Sequence, residues 1–142
     1  MSQCLLTTQG LRKEYFELLA VDDIDLMIPA GEIFGFIGPN GAGKTTTLRM
    51  LATTLEPTEG RILINGIDVW DHPTQARKQI GFMPDFFHLY EYLTVEETLE
   101  YFGRAYGLPR KNRRLRIDEV IQLIGLQEKR HQLVKGLSRG MM

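Results

Sequence analysis

The chain has 142 residues, 43% of them hydrophobic and 25% charged, a balance that argues against a disordered or bilayer-spanning chain and suits one globular domain. Its net charge of −1 argues against a surface adapted throughout to nucleic acid, and its single cysteine rules out an internal disulfide. The start Met1-Ser2-Gln3-Cys4 lacks a basic leader ahead of a long apolar stretch, and no run is long enough to cross a bilayer. A cytosolic chain is therefore expected, unless a partner holds it at a membrane. Cys4 reads as a small apolar residue of an early strand.

Residues 5–8 read as a short strand, Gly10 as a turn, and residues 11–15 as a return toward Phe16 and Leu18. Residues 21–28 then alternate, with Ile24, Leu26 and Ile28 on one face and Asp23 and Asp25 on the other. After a turn at Pro29-Ala30-Gly31-Glu32, the apolar run Ile33-Phe34-Gly35-Phe36-Ile37 predicts a buried strand. That run enters Gly38-Pro39-Asn40-Gly41-Ala42-Gly43-Lys44-Thr45, which spells the phosphate-binding loop G-x-x-x-x-G-K-[ST] in full. Glycines let the backbone curl so that successive N–H groups face an anion, and a helix starting near Lys44 adds the positive end of its dipole. Lys44 is placed to reach the β- and γ-phosphates, and the Thr45 hydroxyl is the expected magnesium ligand. Leu48, Leu51 and Ala52 fall at helical spacing after the loop.

Pro57-Thr58-Glu59-Gly60 reads as a turn, and residues 61–64 should pair with residues 67–69 across Asn65-Gly66. A short polar helix is expected around residues 75–78, and a strand at Ile80-Gly81-Phe82-Met83, stopped by Pro84. The character then changes. Thr94-Val95-Glu96-Glu97 is a capping box opening a helix that Gly107 ends. Residues 110–124 form a second helix, with Leu115, Val120, Leu123 and Ile124 as its expected apolar set. The expected division is a β-rich, loop-bearing portion over residues 1–84 and a linking loop with a helical subdomain over residues 85–142. The basic residues Arg110, Lys111, Arg113, Arg114 and Arg116 read as a solvated helix face, with a nucleic-acid or anionic-lipid surface as the alternative, because Asp118 and Glu119 follow at once and no aromatic is interleaved.

The order of Tyr15, the loop, Phe82-Met83-Pro84-Asp85 and then Leu137-Ser138-Arg139-Gly140-Met141 resembles the ATP-binding subunit of ABC transporters, with spellings similar to bacterial exporter ATPases. The resemblance implies an α/β fold: an incomplete P-loop NTPase core with an N-terminal antiparallel β subdomain and a helical subdomain. It also implies ATP and Mg2+ as ligands. Tyr15 would stack on adenine, with Phe16 as the competing aromatic and plain strand packing as the alternative. Gly38, Pro39, Asn40, Gly41, Ala42, Gly43, Lys44, Thr45 and Thr46 would hold the phosphates. Thr45 and Asp85 would serve the metal. Asp85 departs from the family's usual glutamine, so its contact with nucleotide is expected to run through magnesium; the plain alternative is a turn residue after Pro84. Leu137, Ser138, Arg139 and Gly140 resemble the signature element, which faces the γ-phosphate bound by an opposite subunit.

Partners implied are a membrane-spanning subunit and a second ATP-binding subunit, identical or not, with no nucleic acid. The chain would sit peripherally on the inner face of the cell membrane. The family's apolar strand ending in Asp-Glu, and the histidine after it, have no counterpart in the sequence, so no catalytic residue is assigned. Poor hydrolysis and a marginal or aggregating monomer are expected, with residues 33–37 as an unpaired apolar edge. The rival readings are a soluble ABC-type ATPase without a transport role and a catalytically silent nucleotide-binding fragment.

Overall fold

A computed structural model describes residues 4–84, 88–138 and 140–142. The readings of Asp85 as a magnesium ligand and of Arg139 in the signature element lie outside the described residues. The chain divides into two compact units, Met1–Met83 and Pro84–Met142.

In the first unit, β1 (Cys4–Tyr15) and β2 (Leu18–Pro29) form an antiparallel hairpin through Phe16 and Glu17. β3 (Glu59–Ile64) pairs with the other edge of β1, and β4 (Ile67–Asp68) pairs with β3, giving the order β2-β1-β3-β4. The β3–β4 turn is the one that Asn65-Gly66 demands: φ is 51° at Asn65 and 76° at Gly66, the left-handed pair that matches strand twist. Along β2 the alternation holds, with Val21 buried, Ile24, Leu26 and Ile28 half-buried, and Asp22, Asp23 and Asp25 exposed. Gly10 is not a turn. It lies within β1 at a register irregularity between Thr8 and Leu11, with φ 57°, and its N–H donates to Asp25 Oδ1 at 2.6 Å. Both neighbouring strands carry the ladder past it, so the glycine kinks the strand without reversing it.

Helix α1 (Lys44–Leu51) lays Thr47, Met50 and Leu51 against this sheet, and α2 (Pro73–Arg77) contributes Ala76. With Leu11, Val21, Ile62, Ile64 and Val69 they make the first core. Leu48 is 46% exposed, because the inward stripe of α1 runs through Thr47.

Neither expected apolar strand before or after α1 forms. Residues 33–37 are irregular, Ile33 and Ile37 are 103% and 99% exposed, and of the five only Phe36 packs on the core. Residues 80–83 are irregular too. A strand exists by laddering its N–H and C=O groups with a neighbour. The four described strands pair with one another, and no described pairing joins either run to them.

The second unit is built on α3 (Val95–Ala105) and α4 (Arg110–Leu123). The capping box is complete: Glu97 N donates to Thr94 Oγ1 at 3.2 Å, and Thr94 N donates to Glu97 Oε2 at 2.8 Å. Val95, Ile117, Ile121 and Leu126 form its core, with Leu99, Leu137 and Met141 packed around them. The expected apolar set of α4 is displaced: Leu115, Leu123 and Ile124 are exposed, and the buried stripe is Arg113, Ile117 and Ile121. Arg113 sits inside because its guanidinium donates to Glu100 Oε2 at 2.7 Å and to the Leu108 carbonyl at 2.6 Å. A cation paired in this way occupies a position that apolar counting assigns to solvent. It is therefore not part of a solvated basic face. At the other end of the pair, Arg130 donates to Glu96 Oε1 at 2.5 Å and to Asp118 Oδ1 at 2.6 Å.

Candidate functional site

The loop of residues 38–43 is irregular and largely exposed. Gly43 is the N-cap of α1, with φ 79° and no side-chain cap, and the first turn carries no acidic residue. Within the loop, Ala42 N donates to the Pro39 carbonyl at 3.3 Å, and Thr47 N donates to the Gly43 carbonyl at 2.8 Å. Among the described residues, the N–H groups of Gly41, Gly43, Lys44, Thr45 and Thr46 find no protein acceptor. Five successive or near-successive donors at a helix start, with no carboxylate capping them, make a site for an anion.

The Lys44 ammonium folds over this loop, donating to the Gly38 carbonyl at 2.7 Å and the Pro39 carbonyl at 2.6 Å. Two neutral oxygens hold a cation that a polyphosphate would engage more strongly. Thr45 is exposed, whereas Thr47 is buried and donates its hydroxyl to the Gly43 carbonyl at 3.0 Å. The loop is seated on β2. A Cβ at Gly43 would collide with the Ala20 carbonyl and come 3.2 Å from Val21 Cγ2, so only glycine lets the loop lie this close.

Tyr15 closes β1 and is 40% exposed. Lys13, two residues earlier on the same strand face, pairs with Val21, the residue on which Gly43 leans. Tyr15 therefore lies about 7 Å along β1 from the point where the sheet supports the loop. Phe16, the competing aromatic, is fully exposed in the hairpin turn with φ 50°. The end of β1 is fastened by the segment after α1: Thr58 N donates to the Arg12 carbonyl at 2.8 Å, and Glu14 N donates to Thr58 Oγ1 at 3.0 Å. Sequence reasoning missed this support from Lys13, Val21 and Thr58. The strand period would have shown Lys13 on the face of Tyr15; nothing in the sequence marks the reach from Thr58.

In the second unit, Leu137 is half-buried on the core, while Ser138 and Gly140 are exposed. The Ser138 carbonyl accepts from Met141 N at 2.9 Å and Met142 N at 3.2 Å, a single turn. The sequence's Asp-Glu pair, Asp118-Glu119, is engaged on the surface of α4 with Arg130 and Arg116. The nearby carboxylates are likewise structural. A hydrogen bond from Arg130 holds Glu96 below the usual carboxylate range, and one from Arg113 does the same for Glu100. Tyr90, Tyr92, Tyr101 and Tyr106 are exposed, and Leu89, Tyr90, Tyr92, Leu93 and Tyr101 line a groove of about 640 Å³. Among the described residues, no helix is long and apolar enough to cross a membrane.

A family model described as ABC transporter matches residues 21–142. The Nod factor export ATP-binding protein I of Ralstonia nicotianae is 40% identical over 137 residues, covering 96% of this chain and 43% of that protein. The ABC transporter ATP-binding protein NatA of Bacillus subtilis is 42% identical over 123 residues, covering 86% of this chain and 50% of that protein. The solved structure of an ATP binding subunit of an ABC transporter superposes with a TM-score of 0.81 at 33% identity, over 96% of this chain and 57% of that one. The chain thus spans half or less of the length of these two sequence relatives.

Proposed function

Because this chain belongs to the ABC transporter family, we propose that it is a nucleotide-binding portion of an ATP-binding subunit, with residues 38–46 holding the polyphosphate of ATP. The observation that carries this reading is that, among the described residues, the amides of Gly41, Gly43, Lys44, Thr45 and Thr46 have no protein acceptor and the Lys44 ammonium is held by the carbonyls of Gly38 and Pro39. Those donors fit a polyphosphate, and the exposed Thr45 hydroxyl fits a hard cation beside it. Thr45 would hold a magnesium ion there, which would supply positive charge against the phosphates. Tyr15 supplies the stacking surface for the base, and Asp85 a second oxygen toward the metal.

Leu137, Ser138, Arg139 and Gly140 face the nucleotide of a second ATP-binding subunit. A membrane-spanning partner holds the subunit at the inner face of the membrane, and the groove lined by Tyr90, Tyr92 and Tyr101 is where a helix of that partner docks. Export is the favoured direction, because the relative from Ralstonia nicotianae is named for it. ATP binding is expected to exceed hydrolysis in this chain, since its Asp118-Glu119 pair lies on helix α4 and not at the end of an apolar strand.

Lys44→Ala tests the reading. Losing a charge-assisted bond to phosphate costs about 1.5–3 kcal/mol, or about ten- to hundredfold in Kd for ATP by titration calorimetry. An unchanged Kd with the fold intact refutes the loop assignment. Co-purification with a membrane subunit supports the transport reading; a soluble ATPase without one is the rival outcome.

A further inference from the structure

We infer that Lys13 is a positioning residue for the base-stacking ring, holding Tyr15 in one orientation from one side so that its other face receives the adenine; this rests on the proposed stacking role of Tyr15. The Lys13 ammonium lies 5.2 Å from the centroid of the Tyr15 ring, within the range where a cation is attracted to an aromatic face. It is not free to wander. The same Nζ donates to the Glu56 carbonyl at 2.8 Å, across 43 positions of sequence. Glu56 itself belongs to a fastened segment, since Thr58 bonds to both Arg12 and Glu14 at the end of β1.

The consequence is an ordered ring at a strand end that would otherwise leave it loose. Tyr15 is 40% exposed and sits beside the hairpin turn. A loose ring loses rotamer freedom when a base stacks on it, and an ammonium already fixed on one face removes most of that loss. Lys13 also pairs with Val21, against which Gly43 rests, so the phosphate loop and the base platform share one β-pair as their datum. The segment that fixes Lys13 follows α1, so the chain that leaves the phosphate loop returns to brace the base platform on β1.

The test is a double-mutant cycle read by equilibrium binding of ATP and of inorganic tripolyphosphate, each with magnesium, to the full chain. Lys13→Met is expected to weaken ATP by about three- to tenfold and to leave tripolyphosphate affinity as it was, because the platform touches only the base. Lys13→Arg, which keeps a cation over the ring, is expected to restore ATP affinity. In a Tyr15→Leu background, Lys13→Met is expected to cost nothing more. Equal weakening of both ligands by Lys13→Met, or a loss that persists without Tyr15, overturns the positioning role. So does a Tyr15→Leu variant that weakens ATP while Lys13→Met does not. An ATP affinity unmoved by Tyr15→Leu instead overturns the stacking reading, and the role of Lys13 with it.

Discussion

Replacing Gly43 with alanine should damage the first unit far more than the same replacement at Gly41, two positions away in the same loop. Both glycines are left-handed, with φ 79° and 84°, so each alanine carries the same backbone strain of about 1–2 kcal/mol. Each also gains the same small benefit from a stiffer unfolded chain, which cancels in the comparison. What differs is space. Nothing lies within 4 Å of a Cβ at Gly41, whereas a Cβ at Gly43 meets the Ala20 carbonyl and Val21 Cγ2 of β2. Backbone cannot step aside as a side-chain tip can, so overpacking adds about 1–3 kcal/mol at Gly43 alone. Urea unfolding followed by Trp70 fluorescence reads this directly, because Trp70 is the chain's one tryptophan and packs on the first core. The two midpoints should separate by about 1 M, taking a slope of about 1–3 kcal/mol per M. Equal midpoints, or a Gly43→Ala variant as stable as the parent, would show that the loop does not rest on β2 in solution.

In the second unit, Gly103→Ala inverts the usual helix rule: alanine normally gains about 1 kcal/mol over glycine within a helix, but here the new Cβ would lie 2.6 Å from Arg113 Cδ. The expected outcome is a lower melting temperature at 222 nm in the parent and a higher one in an Arg113→Ala background. Acid should loosen the same unit. Glu96 and Glu100 have folded pKa values below the ordinary 4.5, so their contribution is present above that value and is lost as pH falls through the folded ones. Ellipticity at 222 nm should decline below about pH 4.5, less steeply in Glu96→Gln; an identical acid profile would remove Glu96 from the account. Lysine at both Ile33 and Ile37, which are fully exposed, should leave the urea midpoint unchanged and reduce light scattering. Undiminished scattering would mean that this run is not the sticky surface.

The features legible in the sequence are those whose cause is local. Asn65-Gly66 dictates its own turn, Thr94 and Glu97 satisfy each other's amides, and the alternation of β2 needs only the pleat. The irregular, glycine-bent loop ahead of α1 is legible for the same reason, since its glycines and Lys44 lie within eight residues. Features that depend on a distant partner were misread. The apolarity of residues 33–37 is real, but whether it becomes a strand is decided by neighbours that no local window contains. Arg113 looked like surface because its partners, Glu100 and Leu108, come from the preceding helix and its exit. Gly10 reads as a reversal until strands on both sides are seen to run past it. The contacts of Lys13 with the Glu56 carbonyl and of Thr58 with Glu14, beside Tyr15, are not legible, since they reach across more than 40 positions.

The arginines at the two ends of the α3–α4 pair have a mechanical consequence. Arg113 fastens α4 to Glu100 near its start, and Arg130 clasps Glu96 and Asp118 together farther along. With two separated rivets, neither helix can slide along its neighbour without breaking a charged bond. A push on the turn at Ser138, transmitted through Leu137 and Met141 into the cluster they touch, would therefore swing both rods together as one stiff arm.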